Sequence, residues 1–126
     1  MPRVLVVLAT VILVLHGLIH LMGTAAYWKL TGVSGLPYKT TLLNGSWNVG
    51  DTGIRVFGVL WTVAAVGFVL SAVGLLARWT WWRSVLLPVT ALSLVLTTLD
   101  WNVAFAGIAV DAVILAVLFL TRLSNL

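Results

Sequence analysis

His16 and His20 stand four residues apart in the run Leu15-His16-Gly17-Leu18-Ile19-His20-Leu21-Met22-Gly23. On a helix that spacing puts both imidazoles on one face. It is also the spacing by which one helix grips one metal ion, so His16 and His20 are candidate metal ligands. The metalloprotease form of the motif needs a Glu after the first His, and Gly17 occupies that place. The same pair can instead bind a small ligand, carry a proton or hydrogen-bond a neighbouring helix. Asp111 is the second singular residue, a carboxylate in the middle of an apolar run. Placing it at mid-bilayer costs about 2.5–3.5 kcal/mol on an insertion scale, so it must face other helices and be protonated or paired. Its candidate partners are His16, at matching depth, and Thr90 or Ser93 one helix earlier. Trp61, the one Trp well inside an apolar run, and Arg55, one turn inside the same run, complete the candidate ligand-binding set.

The segments that position these residues are decided by composition. Of 126 residues, 62% are hydrophobic and 8% charged, against about 25% charged in a soluble domain. Such a chain cannot cover a soluble surface. Apolar runs over about 4–28, 52–77, 81–99 and 101–121 each approach or exceed the roughly 20 residues that span a bilayer. The reading is an all-α membrane protein, a single antiparallel four-transmembrane-helix bundle with an outer loop at 29–51. Arg3 and Thr24-Ala25-Ala26 mimic a signal peptide, but the apolar stretch between them is too long for one, so an uncleaved span is expected. Gly32, Gly35, Pro37, Gly45 and Gly50 predict turns and a short helix in the loop. Pro88 predicts a kink in the third span. Ala64, Gly67, Ser71 and Gly74 recur at helical spacing in the second and predict a packing stripe.

Seven Lys and Arg against three acidic residues give a formal charge of +4. The cations are scattered singly, so no stripe exists to follow a nucleic-acid backbone. As flanking charges they orient the chain. Arg3, Arg78, Arg83 and Arg122 fall on one side, and Lys29, Lys39 and Arg55 on the other. The positive-inside rule then puts both termini in the cytoplasm, N-in and C-in. Trp79, Trp81 and Trp82 mark one interface, and Tyr27, Trp28 and Trp101 the other. With no Cys, thiolate metal sites, iron–sulfur clusters and disulfides are excluded.

The His-Gly-x-x-His run resembles the first span of a group of small bacterial four-helix membrane proteins. The likeness continues in Arg55-Val56-Phe57-Gly58-Val59-Leu60-Trp61, in the Trp-rich turn from Arg78 to Arg83, and in Trp101, Ala104, Gly107, Asp111, Ile114 and Leu115. It covers nearly the whole chain apart from the outer loop. In that group the position of Asp111 is often Asn, which implies hydrogen bonding over an obligatory charge. More distantly the layout is similar to DoxX-like proteins, some of which are associated with quinone-linked sulfur oxidation. The resemblance implies a bacterial inner-membrane location and brings no assigned activity.

Three functions follow as expectations. The first is a membrane protein with a buried polar site of His16, His20 and Asp111, open towards the outer face, binding a small ligand, lipid, metal or proton. The second is a structural or accessory subunit of a larger membrane complex, or a homo-oligomer. The third is a quinone-linked redox protein. The lipid bilayer is the one certain surrounding. No motif assigns a catalytic residue or a cofactor. A haem between helices is disfavoured, because two His on one helix cannot ligate opposite haem faces.

Overall fold

A computed structural model describes residues 2–123 of the chain. It contains four helices, α1 (Arg3–Tyr27), α2 (Gly50–Leu76), α3 (Trp82–Leu99) and α4 (Trp101–Leu123), and a two-stranded hairpin of β1 (Thr41–Leu42) and β2 (Trp47–Asn48). Each helix is long and apolar enough to cross a membrane. The boundaries lie within about two residues of those expected, because Gly, Trp and charged residues punctuate the apolar runs where the helices stop. The side chain of Arg122, counted among the inner cations, lies outside the described part.

The contacts run antiparallel around the bundle. Along α1 and α2, Gly17 meets Ala65 and Phe68, Gly23 meets Trp61, and Tyr27 meets Gly58. Gly67 of α2 lies against Val89 of α3, and Gly74 against Trp81 and Trp82. Ser93 and Thr97 of α3 face Asp111 and Gly107 of α4. In a bilayer there is no hydrophobic force between helices, so close approach and interhelical hydrogen bonds hold them. The expected stripe of α2 does this: Ala64, Gly67, Ser71 and Gly74 are all buried. The flanks are apolar and outward, as at Ile12, Val66, Val95 and Phe119. Both α1 and α2 end in the same way. The N–H of Leu30 reaches back to Ala25 and that of Lys29 to Ala26, while Trp79 and Arg78 do the same to Gly74 and Leu75. Lys29 and Arg78 thereby sit at positive φ beside unsatisfied helix carbonyls, where a cation is favoured.

One expectation is corrected. The outer loop contains no helix; it forms the β1–β2 hairpin, paired Thr41 with Asn48 and Leu42 with Trp47. Positive φ at Leu43, Asn44 and Gly45 turns the chain between the strands. Pro88 lies inside α3, which continues through it as one helix. A break in helical geometry lies in α4, at Ala104 (φ −114°, ψ 22°). There the carbonyl of Asp100 accepts from the N–H groups of both Val103 and Ala104, closing a first turn before the helix resumes.

The hairpin and its flanks are strapped to the α3–α4 turn. Leu43 N–H donates to the Leu99 carbonyl at 2.8 Å. Lys39 Nζ donates to Asp100 Oδ1 at 2.5 Å, and the Tyr27 hydroxyl donates to Asp100 Oδ2. Asp100 is 1% exposed, so Lys39 and Tyr27 replace its lost water. Lys39→Met is expected to loosen this strap by about 1 kcal/mol, raising proteolysis within 29–49 about fivefold. An unchanged cleavage rate would show that the strap does not hold the loop. Farther along, the Tyr38 hydroxyl donates to Asp51, and Lys29 Nζ sits 4.2 Å above the Tyr38 ring. That hydrogen bond pushes the Tyr38 phenol above its ordinary pKa of 10.0. The contact is therefore complete below pH 10 and is lost as pH rises through the folded value.

Candidate functional site

The site lies at mid-depth, where α1, α3 and α4 meet. His16 Nε2 is 2.8 Å from Asp111 Oδ1. The Ser93 hydroxyl is 2.6 Å from Asp111 Oδ2 and 2.7 Å from His20 Nε2. His20 Nδ1 is 2.7 Å from the carbonyl oxygen of His16, one turn back on its own helix. Thr97 Oγ1 bonds the Ser93 carbonyl at 2.8 Å and reaches towards Asp111 Oδ2 at 3.4 Å. Asp111 is 0% exposed and His20 1%. The network is thus closed on protein partners, as a buried polar cluster must be if it is not to destabilise the core.

Local sequence explains each placement. The four-residue spacing puts His16 and His20 on the face of α1 that Gly17 and Gly23 bring close to α2. A Cβ on Gly17 would lie 3.0 Å from the Ala65 carbonyl oxygen, and one on Gly23 2.7 Å from the Trp61 indole. Phe68 and Trp61 of α2 wall in the imidazoles: Phe68 is 4.8 Å from His16 and 5.1 Å from His20, and Trp61 is 5.0 Å from His20, between ring centroids. On α3, Ser93 and Thr97 share a face. On α4, Gly107 lets Thr97 approach one turn above Asp111, where a Cβ would lie 2.8 Å from Thr97 Cγ2.

Of the partners considered for Asp111 from sequence, two are present together, His16 from α1 and Ser93 from α3. Thr90 is not one; its hydroxyl bonds the Leu86 carbonyl. Trp61 lies at the site. Its Nε1–H is the one buried side-chain polar atom without a hydrogen-bond partner among the described residues. Arg55 does not join the site. It is exposed at the N-terminal end of α2, its guanidinium 5.5 Å from the Trp28 ring and its carbonyl accepting from Trp28 Nε1. At the other end of the bundle Arg83 reaches α4, donating to Thr121 Oγ1 at 2.8 Å. Ser93 is the member that sequence reasoning left as one alternative among several. Its signal was depth alone, and depth does not fix helix rotation.

A cavity of about 260 Å³ opens from this cluster along the seam between α1 and α4. It starts at His16 and His20, passes Trp61, Thr97 and Asp100, and reaches Ser34 and Gly35 of the loop between α1 and α2. Ile19, Met22 and Ala106, all exposed, form its flank. The break at Ala104 lies in its wall. A second cavity of about 170 Å³, lined by apolar residues such as Leu13, Leu86 and Ile114, occupies the same seam on the other side of the His16–Asp111 contact. Here α1 and α4 are bridged by that hydrogen bond with cavities above and below it.

The arrangement limits the chemistry. Ser93 stands between the carboxylate and the imidazole, whereas nucleophilic catalysis by serine needs the imidazole in the middle. Both imidazoles have Nε2 engaged. Among the described residues no group of three or more His, Asp or Glu is arranged to hold a metal ion. The cluster can donate and accept hydrogen bonds and hold a proton. Comparison with protein-family models, curated proteins and solved structures returns no match.

Proposed function

We propose that the chain is an integral protein of the bacterial inner membrane that binds a small ligand in the outer half of the α1–α4 seam. The observation that carries this reading is the cavity of about 260 Å³ ending on His16 and His20, with the unpartnered Trp61 N–H beside it. Leaving a buried donor unpaired costs about 1–3 kcal/mol, which a ligand with an acceptor oxygen would recover. The flank at Ile19, Met22 and Ala106 is apolar and exposed, so the ligand is one that partitions into lipid. Its polar end would meet the imidazoles, and its apolar part would lie along the flank.

Native mass spectrometry of the protein purified in mild detergent tests this. The wild-type chain is expected to retain a small molecule above the mass of the polypeptide. Ala106→Trp, which fills the flank from an exposed position, is expected to abolish the retention. Equal spectra for the two proteins would remove the reading.

We further propose that both termini face the cytoplasm. Arg3, Arg78 and Arg83 flank one end of the bundle, and Lys29, Lys39 and Arg55 the other, and the first group adjoins the shorter connections. Because the chain has no Cys, single cysteines report cleanly. Pro2→Cys and Thr80→Cys should resist an impermeant thiol reagent in intact cells, while Ser34→Cys should react. The reverse pattern would invert the topology, and disagreement between positions 2 and 80 would exclude a four-span path.

A further inference from the structure

We propose that the buried cluster holds one exchangeable proton, shared between Asp111 and His20 through the Ser93 hydroxyl, and that His16 is a fixed donor that positions the carboxylate. The proposal rests on the site described above and adds its proton inventory: one hydrogen shared between Asp111 and His20.

The argument is a count of hydrogens. A carbonyl oxygen only accepts, so His20 Nδ1, 2.7 Å from the His16 carbonyl, must carry a hydrogen. A neutral His20 then offers only a lone pair at Nε2. Three short contacts remain: His16 with Asp111 Oδ1, Ser93 with Asp111 Oδ2, and Ser93 with His20 Nε2. Each needs one hydrogen. A neutral His16 with its hydrogen on Nε2 supplies the first. Ser93 has one hydrogen for the two contacts that it makes. With Asp111 ionised and both imidazoles neutral, one contact would press two lone pairs together at 2.6 or 2.7 Å. One more hydrogen is therefore required.

Two arrangements supply it without leaving a net charge. In the first, Asp111 is a carboxylic acid donating from Oδ2 to Ser93, and Ser93 donates to a neutral His20. In the second, Asp111 is a carboxylate, Ser93 donates to it, and His20 is an imidazolium donating from Nε2 to Ser93. Arrangements with a further proton on His16 leave a net positive charge, which the interior of a membrane disfavours. The two neutral arrangements interconvert by a paired transfer. The Asp111 hydrogen moves to Ser93 Oγ as the Ser93 hydrogen moves to His20 Nε2. One O–H bond and one N–H bond form while two O–H bonds break, and no other reactant is needed.

The surroundings isolate this exchange. From α1 the titratable neighbours are His16 and His20 themselves. From α2 the facing side chains are Phe68 and Trp61, without a titrating group. From α3 they are Ser93 and Thr97. Asp100 borders the same cavity but is held by Lys39 and Tyr27.

The test uses the ligand-free full chain in detergent with ¹⁵N-labelled histidine, read by nitrogen NMR and by the infrared band of a protonated carboxyl. In the wild type, the fraction of Asp111 that is protonated and the fraction of His20 that is doubly protonated should sum to one per chain. His16 should be neutral with hydrogen on Nε2. Asp111→Asn reproduces the first arrangement, its amide donating to Ser93 and its carbonyl accepting from His16. It should lose the carboxyl band and leave His20 neutral with hydrogen on Nδ1. In Ser93→Ala, changing Asp111 to Asn should no longer alter the His20 signal. A sum of zero or two, a doubly protonated His16, or an imidazolium at His20 in Asp111→Asn would overturn the proposal. So would an undiminished response of His20 in the Ser93→Ala background. The proton count is read on ligand-free protein and ligand retention by mass spectrometry, so failure to find a ligand and failure of the proton count are separate results.

Discussion

Asp111→Leu is expected to destabilise the protein by about 2–3 kcal/mol, while Asp111→Asn costs about 1 kcal/mol or less. The difference comes from what each substitution leaves behind. Leu removes both oxygens, so the Nε2–H of His16 loses its acceptor and the hydroxyl of Ser93 is left with His20 alone, in a place that water does not reach. The Thr97 hydroxyl keeps the Ser93 carbonyl and loses little. Asn keeps one acceptor towards His16 and offers a donor towards Ser93, so every contact is restored. Thermal unfolding in detergent, followed by circular dichroism, decides between them. Equal midpoints, or a more stable Leu variant, would show that the cluster is not a cohesive element of the bundle. The contact between α1 and α4 would then rest on apolar packing alone.

Gly67→Leu is the second large effect, expected at about 3 kcal/mol or more. The Cβ that any other residue carries would lie 2.3 Å from Val89 Cγ2 and 3.0 Å from Cγ1. Val is stiff at χ1 and cannot swing both methyl groups away, so α2 and α3 must separate. Val89 stands one turn from Ser93 on α3. The displacement therefore moves Ser93 relative to His20 and should reach the site as well as the stability. Both are measurable, the first by thermal unfolding and the second by the His20 nitrogen signal. A stable Gly67→Leu protein with an unchanged His20 signal would mean that α3 has freedom to shift without cost.

The sequence by itself determined the four apolar helices, their lengths and their ends. A run of about 20 apolar residues can satisfy its backbone in lipid only as a helix, and charged residues, Gly and Trp mark where lipid stops. It also determined that His16 and His20 share a face, because that follows from helical geometry alone. Matching depth was enough to pair His16 with Asp111. The rest belonged to the tertiary structure. Ser93 bridges Asp111 and His20 because α3 is rotated to bring it there. Helices that are apolar on every side carry little periodicity from which to read such a rotation. Arg55 points away from the site, towards Trp28, for the same reason. The loop between α1 and α2 is held as a hairpin where Asp100 and the Leu99 carbonyl, about 60 residues later in the chain, offer partners to Lys39 and Leu43. A break in helical geometry fell at Ala104, where the α3–α4 turn concentrates two N–H groups on the Asp100 carbonyl. Local pattern fixes what each segment must be in a membrane; only packing decides which side chains meet.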